Sequence, residues 1–299
     1  MSKMVKEVFI PGDEWISYKI YTEYHFIERI LIKTISPIVQ RLLTDGIIDK
    51  WFFVRYKDEN FHLRVRFHCT EKNSIYTVQS FLNRELKKYI DANIVWDVHI
   101  DSYKRELVRY GEHTINQSEQ LFFYDSEKII KLIELLSQSE NSSKLRWLLS
   151  IKIIDQLLST FKYDINEKEE VLRNLSLKFA KEFHINSQII KQLSQKYRIN
   201  KRELHNLLEY DLFPSQSDGF NAILLHRNLE EIKLAGEITA ISNLKKEKYL
   251  TELLGSYIHM SMNRIFKSKQ RLYELIIYGF LHRFYKSKIA REKYNNKTL

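Results

Sequence analysis

The chain has 299 residues, of which 44% are hydrophobic and 29% charged, with only 7 glycines and 3 prolines. This composition is typical of a globular protein and excludes collagen-like, linker-rich and disordered chains. The single cysteine, Cys69, excludes disulfides within the chain and argues against cysteine-based metal sites.

The formal net charge is +10, which favours acidic partners such as an acidic peptide, a nucleic acid or an anionic membrane. The positive charge is dispersed, however, and helical stretches such as KLIELL and LKKEKYLTELL mix lysine with glutamate. We therefore expect a solvated basic surface and no direct contact with nucleic acid. The start of the chain lacks the apolar core of a signal peptide, and no run of about 18 apolar residues occurs. These features predict a cytoplasmic protein without a transmembrane segment.

The first hundred residues alternate between strand and helix patterns. In chain order they predict a strand over 15–21, a helix over 24–44, strands over 48–56 and 61–69 joined by the turn KDEN, a helix over 75–90 and a strand over 94–103. Pro37 should kink or break the first helix, and Ser36 before it should avoid helical dihedral angles. The order βαββαβ predicts a ferredoxin-like unit with an antiparallel sheet.

The predicted strand FHLRVRFH, residues 61–68, places all its basic side chains on one face. Successive side chains of a strand point to opposite faces, so the apolar residues share one face and the basic residues share the other: His62, Arg64, Arg66 and His68. One interpretation is an outer face in contact with water. The other is the wall of an anion site, because arginine forks hold a carboxylate bidentately.

From Tyr124 onward the pattern is helical. The predicted helices cover 126–136, 144–162, 167–183, 186–197, 200–210, 221–236, 244–267 and 269–287, with N-caps expected at Asp125, Asn166 and Ser187 and a loop around Pro214. The sequence therefore predicts an α+β fold. A ferredoxin-like half with an antiparallel sheet, over 1–115, is expected to pack against a mostly helical half over 116–299.

Motifs for common cofactors are missing from the sequence. It contains no glycine-rich phosphate loop, no H-E-x-x-H and no G-x-S-x-G, and its ten histidines show no metal-ligand spacing. We expect a protein without a cofactor or a metal.

Four stretches occur in an order that resembles a known family. They are WISYKIY near the start, the hairpin FFVRYKDENFHLRVRF, ELVRYGE at 106–112 and HMSMNR at 259–264. With these motifs the chain resembles the thiopeptide-type bacteriocin biosynthesis family, which includes the C-terminal elimination domain of class I lantibiotic dehydratases. The resemblance extends over about residues 12–285, although residues 126–250 match only in order and length.

The resemblance implies a reaction and its residues. Lantibiotic members of the family remove glutamate from Ser and Thr residues of a precursor peptide, after a separate domain has transferred that glutamate from glutamyl-tRNA. The family motifs imply four catalytic residues, namely Arg64, Arg66, Arg109 and His259. We expect four more residues to bind substrate, namely His62, Tyr110, Asn263 and Arg264. The sequence departs from the family in the turn KDEN, where many relatives have Asp-Pro, and at Glu112, where a second glycine is frequent.

The predicted function is that of a stand-alone glutamate-elimination subunit of a split peptide dehydratase, a carbon–oxygen lyase. Its expected partners are a glutamylated, ribosomally made precursor peptide and a tRNA-dependent glutamylation subunit, and a homo- or hetero-oligomer is left open. One alternative is the enzyme of the same family that forms the pyridine of thiopeptides by a formal cycloaddition. Another is a non-catalytic module that binds the precursor peptide.

Several of these residues also have a structural interpretation. Arg109 can pair with Glu106 or Glu112 where the last strand ends. His259 lies on an apolar helix face, at a position that often holds a satisfied core histidine. Asn263, one turn later on the same face, can serve with Arg264 as a structural buttress.

Overall fold

The computed structural model describes residues 5–211, 218–225, 229–244 and 249–295, and the chain forms two compact units. One unit comprises Met1–Ser137 with Asn263–Ser268, and the other comprises Gln138–Met262 with Lys269–Leu299. Among the described residues, no helix is long and apolar enough to cross a bilayer. The same residues contain no group of His, Cys, Asp and Glu that could hold a metal ion.

A four-stranded antiparallel sheet lies at the centre of the first unit. The strands in chain order are β1 (Val8–Phe9), β2 (Trp15–Thr22), β3 (Ile48–Lys57), β4 (Phe61–Cys69), β5 (Val95–Asp101) and β6 (Tyr103–Lys104). The central sheet has the spatial order β3-β4-β2-β5, whereas β1 and β6 pair separately. This is the strand order of the ferredoxin-like unit, and the predicted α+β class is confirmed.

The first helical segment contains a π turn where a kink or a break was expected. Helix α1 (Ile27–Ile30) continues through the π turn Leu31–Ile35 into α2 (Ser36–Thr44). Ser36 has helical dihedrals of φ −57° and ψ −51°. The segment therefore continues through Pro37 without a break, and the prediction that Ser36 avoids helical dihedral angles is wrong. The wider turn changes the spacing just ahead of the proline, which then lies in the first turn of α2, where its missing N–H costs least.

One face of the sheet forms the core of the first unit. Helices α2 and α3 (Ser74–Asp91) cover this face, and the apolar side chains of β4 on it, Leu63, Val65 and Phe67, are fully buried. The alternation that predicts the strand therefore also predicts its buried side. The opposite face is left to the basic residues of β4.

The rest of the described chain is helical. The helices are α4 (Leu107–Tyr110), α5 (Ile115–Ser137), α6 (Ser142–Thr160), α7 (Ile165–Glu182), α8 (Ser187–Glu209), α9 (Asp218–Leu225), α10 (Leu229–Asn243), α11 (Tyr249–Ile265) and α12 (Gln270–Asn295). Helix α5 belongs to the first unit, whereas the sequence analysis assigned residues 116–299 to the helical half. The two helices predicted over 186–197 and 200–210 are one continuous helix, α8. The loop predicted around Pro214 lies outside the described residues.

Two of the three predicted caps are displaced, and the third is absent. Asp164 and Asn186 are the N-caps of α7 and α8, two residues before Asn166 and one residue before Ser187. Asp164 accepts hydrogen bonds from two main-chain N–H groups and forms a capping box with Glu167. Asp125 lies inside α5 and does not cap it.

Replacement of Asp164 by alanine should destabilise α7 by about 1 kcal/mol, because two N–H groups of its first turn lose their acceptor. Denaturant unfolding followed by circular dichroism measures this loss. Asn166→Ala is the matched control and should change the free energy of unfolding much less. Equal effects of the two substitutions would contradict the cap assignment.

Candidate functional site

The basic face of β4, formed by His62, Arg64, Arg66 and His68, continues onto the neighbouring strands. Residues directly opposite each other in an antiparallel pair share a face. By this register, the central part of the basic face includes Ser17, Lys19 and Tyr21 of β2, and Phe52, Val54 and Tyr56 of β3.

The cations of this face differ in how their charges are compensated. Lys19 forms an ion pair of 2.6 Å with Asp101, and His68 lies 2.7 Å from a carboxylate oxygen of Asp49. Arg64 and Arg66 form no ion pair with any carboxylate in the described part of the chain. The two arginine forks therefore remain available to an anion that comes from outside the chain.

Aromatic rings hold both arginines in place. The guanidinium carbon of Arg64 lies 3.5 Å from the ring centroid of Tyr56. That of Arg66 lies 4.4 Å from the ring centroid of Tyr103 and 5.3 Å from that of Phe52. Contacts of this kind orient a guanidinium without neutralising its charge.

Arg66 is an uncompensated cation in a largely enclosed position. Its Nε is buried and has no hydrogen-bond partner among the described residues. Burial lowers the pKa of the Arg66 guanidinium below its usual value. A buried N–H group without an acceptor is costly, and an anion placed beside Nε of Arg66 relieves that cost.

His62 lies behind Arg64 and is fully buried. Its Nδ1 is 3.2 Å from the carbonyl oxygen of Asn60, and its Nε2 accepts a hydrogen bond of 3.0 Å from Nε of Arg64. These two contacts require a neutral ring that carries its proton on Nδ1. Burial lowers the pKa of His62, which favours the same neutral form.

A buried ionic cluster supports the Tyr103 ring that holds Arg66. Arg105 reaches both oxygens of Glu119 at 2.7 and 2.6 Å, and the Tyr103 hydroxyl donates to the same carboxylate at 2.8 Å. Burial raises the pKa of Tyr103 well above its ordinary value, so the hydroxyl stays protonated as the donor. The sequence analysis missed Arg105 and Glu119. Their signal was the first arginine of the stretch KRELVRY, together with a carboxylate on the apolar face of α5.

Arg109 has a partner and is more exposed. Its guanidinium lies 3.1 Å from Glu106, and 44% of its side chain is exposed. The charge of Glu106 also acts on Arg66, where it partly offsets the lowering of the guanidinium pKa by burial. Gly111 ends α4 with φ +71°, a dihedral that favours glycine and accounts for the glycine of the R-Y-G motif. The Tyr110 ring is buried, 5.0 Å from the ring of Phe122.

Asn263 and Arg264 contact the main chain of the edge strand β3. The Asn263 side chain accepts from the Arg55 N–H at 2.9 Å and donates to the Arg55 carbonyl at 2.8 Å. Arg264, which is fully buried, donates to the carbonyl of Phe53 at 2.9 Å and to the carboxylate of Asp125 at 2.6 Å. Both side chains therefore hold the end of α11 to the edge of the sheet.

His259 lies in the second unit, on α11, beside a carboxylate that the sequence analysis missed. Its Nδ1 is 3.0 Å from Oε1 of Glu274, which is fully buried on α12. The His259 side chain is 29% exposed, and its Nε2 has no partner among the described residues. An oriented imidazole with one free nitrogen can accept a proton. The sequence signal for Glu274 was a single acidic residue in the apolar stretch LYELIIYGF.

The sequence matches known proteins over most of its length. The family described as "Lantibiotic biosynthesis dehydratase C-term" matches residues 15–285. The chain is 27% identical over 262 residues to the epidermin biosynthesis protein EpiB of Staphylococcus epidermidis, covering 85% of the chain and 24% of that protein. It is 25% identical over 285 residues to the nisin biosynthesis protein NisB of Lactococcus lactis subsp. lactis, covering 93% and 26%. The chain thus spans about a quarter of the length of these relatives.

Solved structures share the fold. The tRNA-dependent lantibiotic dehydratase MibB from Microbispora sp. 107891 matches with a TM-score of 0.74 and 19% identity, over 94% of this chain and 29% of that one. TbtD, the pyridine synthase from thiomuracin biosynthesis, matches with a TM-score of 0.61 and 8% identity, over 92% and 98%. At these identities the likeness establishes a shared fold only.

The lowered pKa of His62 predicts a pH dependence of stability. The folded chain binds fewer protons here than the unfolded chain, whose histidine pKa is about 6.5. The stabilisation is therefore complete above that pH and declines as pH falls below it. Denaturant unfolding between pH 5 and 8 should show a shallower decline for His62→Gln than for the wild type. Parallel curves would contradict the neutral, buried His62.

Proposed function

The chain belongs to the family of lantibiotic biosynthesis dehydratase C-terminal domains, and on this premise we propose that it eliminates glutamate from glutamylated Ser and Thr residues of a precursor peptide. The observation that supports this most directly is the pair of arginines on β4, held by aromatic rings and a neutral histidine and unpaired with any carboxylate of the described residues. Such a pair suits a substrate with two anionic groups, as a glutamyl ester becomes when it is cleaved.

The elimination requires one proton acceptor and one site for a departing carboxylate. A base removes the proton from the α-carbon of the esterified residue, and the C–H electron pair forms the new C=C bond. The bond between the β-carbon and the ester oxygen breaks, and glutamate leaves as a carboxylate. The product is dehydroalanine from Ser or dehydrobutyrine from Thr.

In this proposal Arg64 and Arg66 bind the glutamyl unit. One fork stabilises the charge that develops on the departing ester oxygen, and the other holds the free carboxylate of the glutamyl side chain. Preorganised charge of this kind is usually the largest catalytic contribution. Glu106 interacts electrostatically with both Arg109 and Arg66. The partly exposed Arg109 therefore adds a further cation for the same anion.

His259 is the proposed base, because its Nε2 is free of partners in the described structure and a positioned imidazole can accept a proton. We assign positioning roles to the four residues that were expected to bind substrate, since each has a protein contact that supports such a role: His62, Tyr110, Asn263 and Arg264. The proposed partners are the glutamylated precursor peptide and the subunit that glutamylates it.

The second candidate function is pyridine formation. It is kept as an alternative because the pyridine synthase TbtD has the same fold. Cycloaddition, however, releases no glutamate. Arg64 and Arg66, which pair with no carboxylate of the described residues, would then have no anion to bind.

Replacement of Arg64 or Arg66 by lysine should not be conservative, because lysine keeps the charge but loses the planar fork. We expect at least one variant to lose about 10²-fold in turnover of a glutamyl-ester peptide. Mass spectrometry of the precursor, coexpressed with the glutamylation subunit, should then show retained glutamyl groups.

Arg84→Lys is the matched control, since Arg84 is an exposed residue of α3 that contacts Glu85. It should dehydrate the precursor like the wild type. Complete dehydration by both Arg64→Lys and Arg66→Lys would return the basic face to the role of a solvated surface.

The purified chain alone should not dehydrate an unmodified precursor, because the hydroxyl of Ser or Thr is a poor leaving group until it is esterified. The same chain should act on a peptide that already carries glutamyl esters. Mass spectrometry of the two incubations distinguishes them. Dehydration of the unmodified peptide without tRNA or partner would contradict the proposal.

A further inference from the structure

Which nitrogen of His259 can accept a proton depends on the bond that the other nitrogen makes. Nδ1 lies 3.0 Å from Oε1 of Glu274 and 3.1 Å from Nε2 of Gln270. A hydrogen bond to the Glu274 carboxylate requires a proton on Nδ1. A hydrogen bond donated by the Gln270 amide would instead require a lone pair on Nδ1. The tautomer of His259 is therefore decided by which of these two contacts is the hydrogen bond.

The hydrogens of Gln270 resolve this conflict. Its side-chain NH₂ group has two hydrogens and lies 3.1 Å from the main-chain oxygen of His259 and 3.3 Å from Oε2 of Glu274. These two oxygens use both hydrogens, and none remains for Nδ1. An ionised carboxylate only accepts, so Nδ1 donates its proton to Glu274, and the lone pair is on Nε2.

The surroundings of Glu274 keep its carboxylate in one place. The Tyr278 hydroxyl donates to Oε1 at 2.8 Å, and a guanidinium nitrogen of Arg271 lies 3.7 Å from Oε2. Burial and the neighbouring carboxylate raise the pKa of Tyr278 well above its ordinary value, so this donor stays protonated. A fully buried carboxylate held by three side chains has little freedom to leave the imidazole.

We propose that Glu274 is a positioning residue, which holds His259 in the Nδ1–H tautomer and so leaves Nε2 free to take the α-proton of the substrate. The orientation of the ring is inferred from contacts within this unit alone, and the catalytic part rests on the proposed elimination. Glu274 does not contact the substrate. It keeps the proton of the neutral ring on Nδ1, and it stabilises the imidazolium that forms when Nε2 accepts the substrate proton.

The buried position of Glu274 is costly for the stability of the chain. An ionised carboxylate on an apolar helix face is expensive unless it is paired. A core that needed only stability would place an apolar residue at this position. A carboxylate that neighbours a histidine with a free, partly exposed nitrogen fits a group selected for proton transfer.

The first test is independent of the reaction. Nitrogen-15 NMR of the full chain, labelled at histidine and assigned with His259→Ala, should show a protonated Nδ1 and an unprotonated Nε2 for His259 at neutral pH. In Glu274→Gln the signals should shift toward the other tautomer or a mixture. A wild-type His259 with its proton on Nε2 would overturn the inference.

The second test uses a glutamyl-ester peptide. Glu274→Gln should lower kcat by about 10²-fold with little change in KM, and Glu274→Asp should recover part of the loss. The double variant Glu274→Gln/His259→Ala should be no slower than His259→Ala, because the two residues act as one unit. Glu182→Gln, which removes the other carboxylate of Arg271, is the matched control and should keep wild-type kinetics.

The outcomes separate the two proposals. If His259→Ala eliminates at the wild-type rate while NMR shows the Nδ1–H tautomer, His259 is not the base, and the coupling to Glu274 is purely structural. If His259→Ala is slow but Glu274→Gln has wild-type kcat and an unchanged tautomer, the function stands and the role of Glu274 is overturned. Should Glu274→Gln not fold, the wild-type tautomer and the Glu274→Asp kinetics still decide.

Discussion

The contact between guanidinium groups and aromatic rings on β4 is the interaction on which the rest of the site depends. A carboxylate partner would orient Arg64 and Arg66 equally well, but it would occupy their forks and cancel their charge. Rings and a neutral imidazole orient them and leave the charge in place. The buried Glu119 supports Arg66 only indirectly, because it accepts a hydrogen bond from the Tyr103 hydroxyl and forms no ion pair with the Arg66 guanidinium.

Strict alternation made the sheet predictable, because one face of every strand has to enter the core. The strand FHLRVRFH forms as expected, and the pattern that places Val65 inside places Arg64 and Arg66 outside. The π turn before Pro37 could not be read in this way. Proline signals a missing N–H, but whether a helix breaks or widens around it depends on the packing of the flanking turns.

The residues that support the site could not be predicted from local pattern, because their partners are distant in the sequence. His259 and Asn263 share a helix face one turn apart, yet Asn263 contacts the Arg55 main chain and His259 contacts Glu274. Glu119 and Glu274 are each single acids among apolar residues. Spacing alone does not show that such an acid has a tyrosine and a second polar partner buried with it.

The amide of Asn263 has a consequence for how the sheet ends. In a hydrogen-bonded antiparallel pair, two residues exchange both an N–H and a C=O, and Asn263 offers Arg55 this exchange with its side chain. The side-chain amide of Asn263 thus makes the two hydrogen bonds that one residue of a neighbouring strand would make. A sheet edge with free main-chain groups is a template for unwanted pairing with other chains. At Arg55 both main-chain groups are already bonded to the Asn263 side chain, so a further strand cannot pair with the sheet edge at this residue.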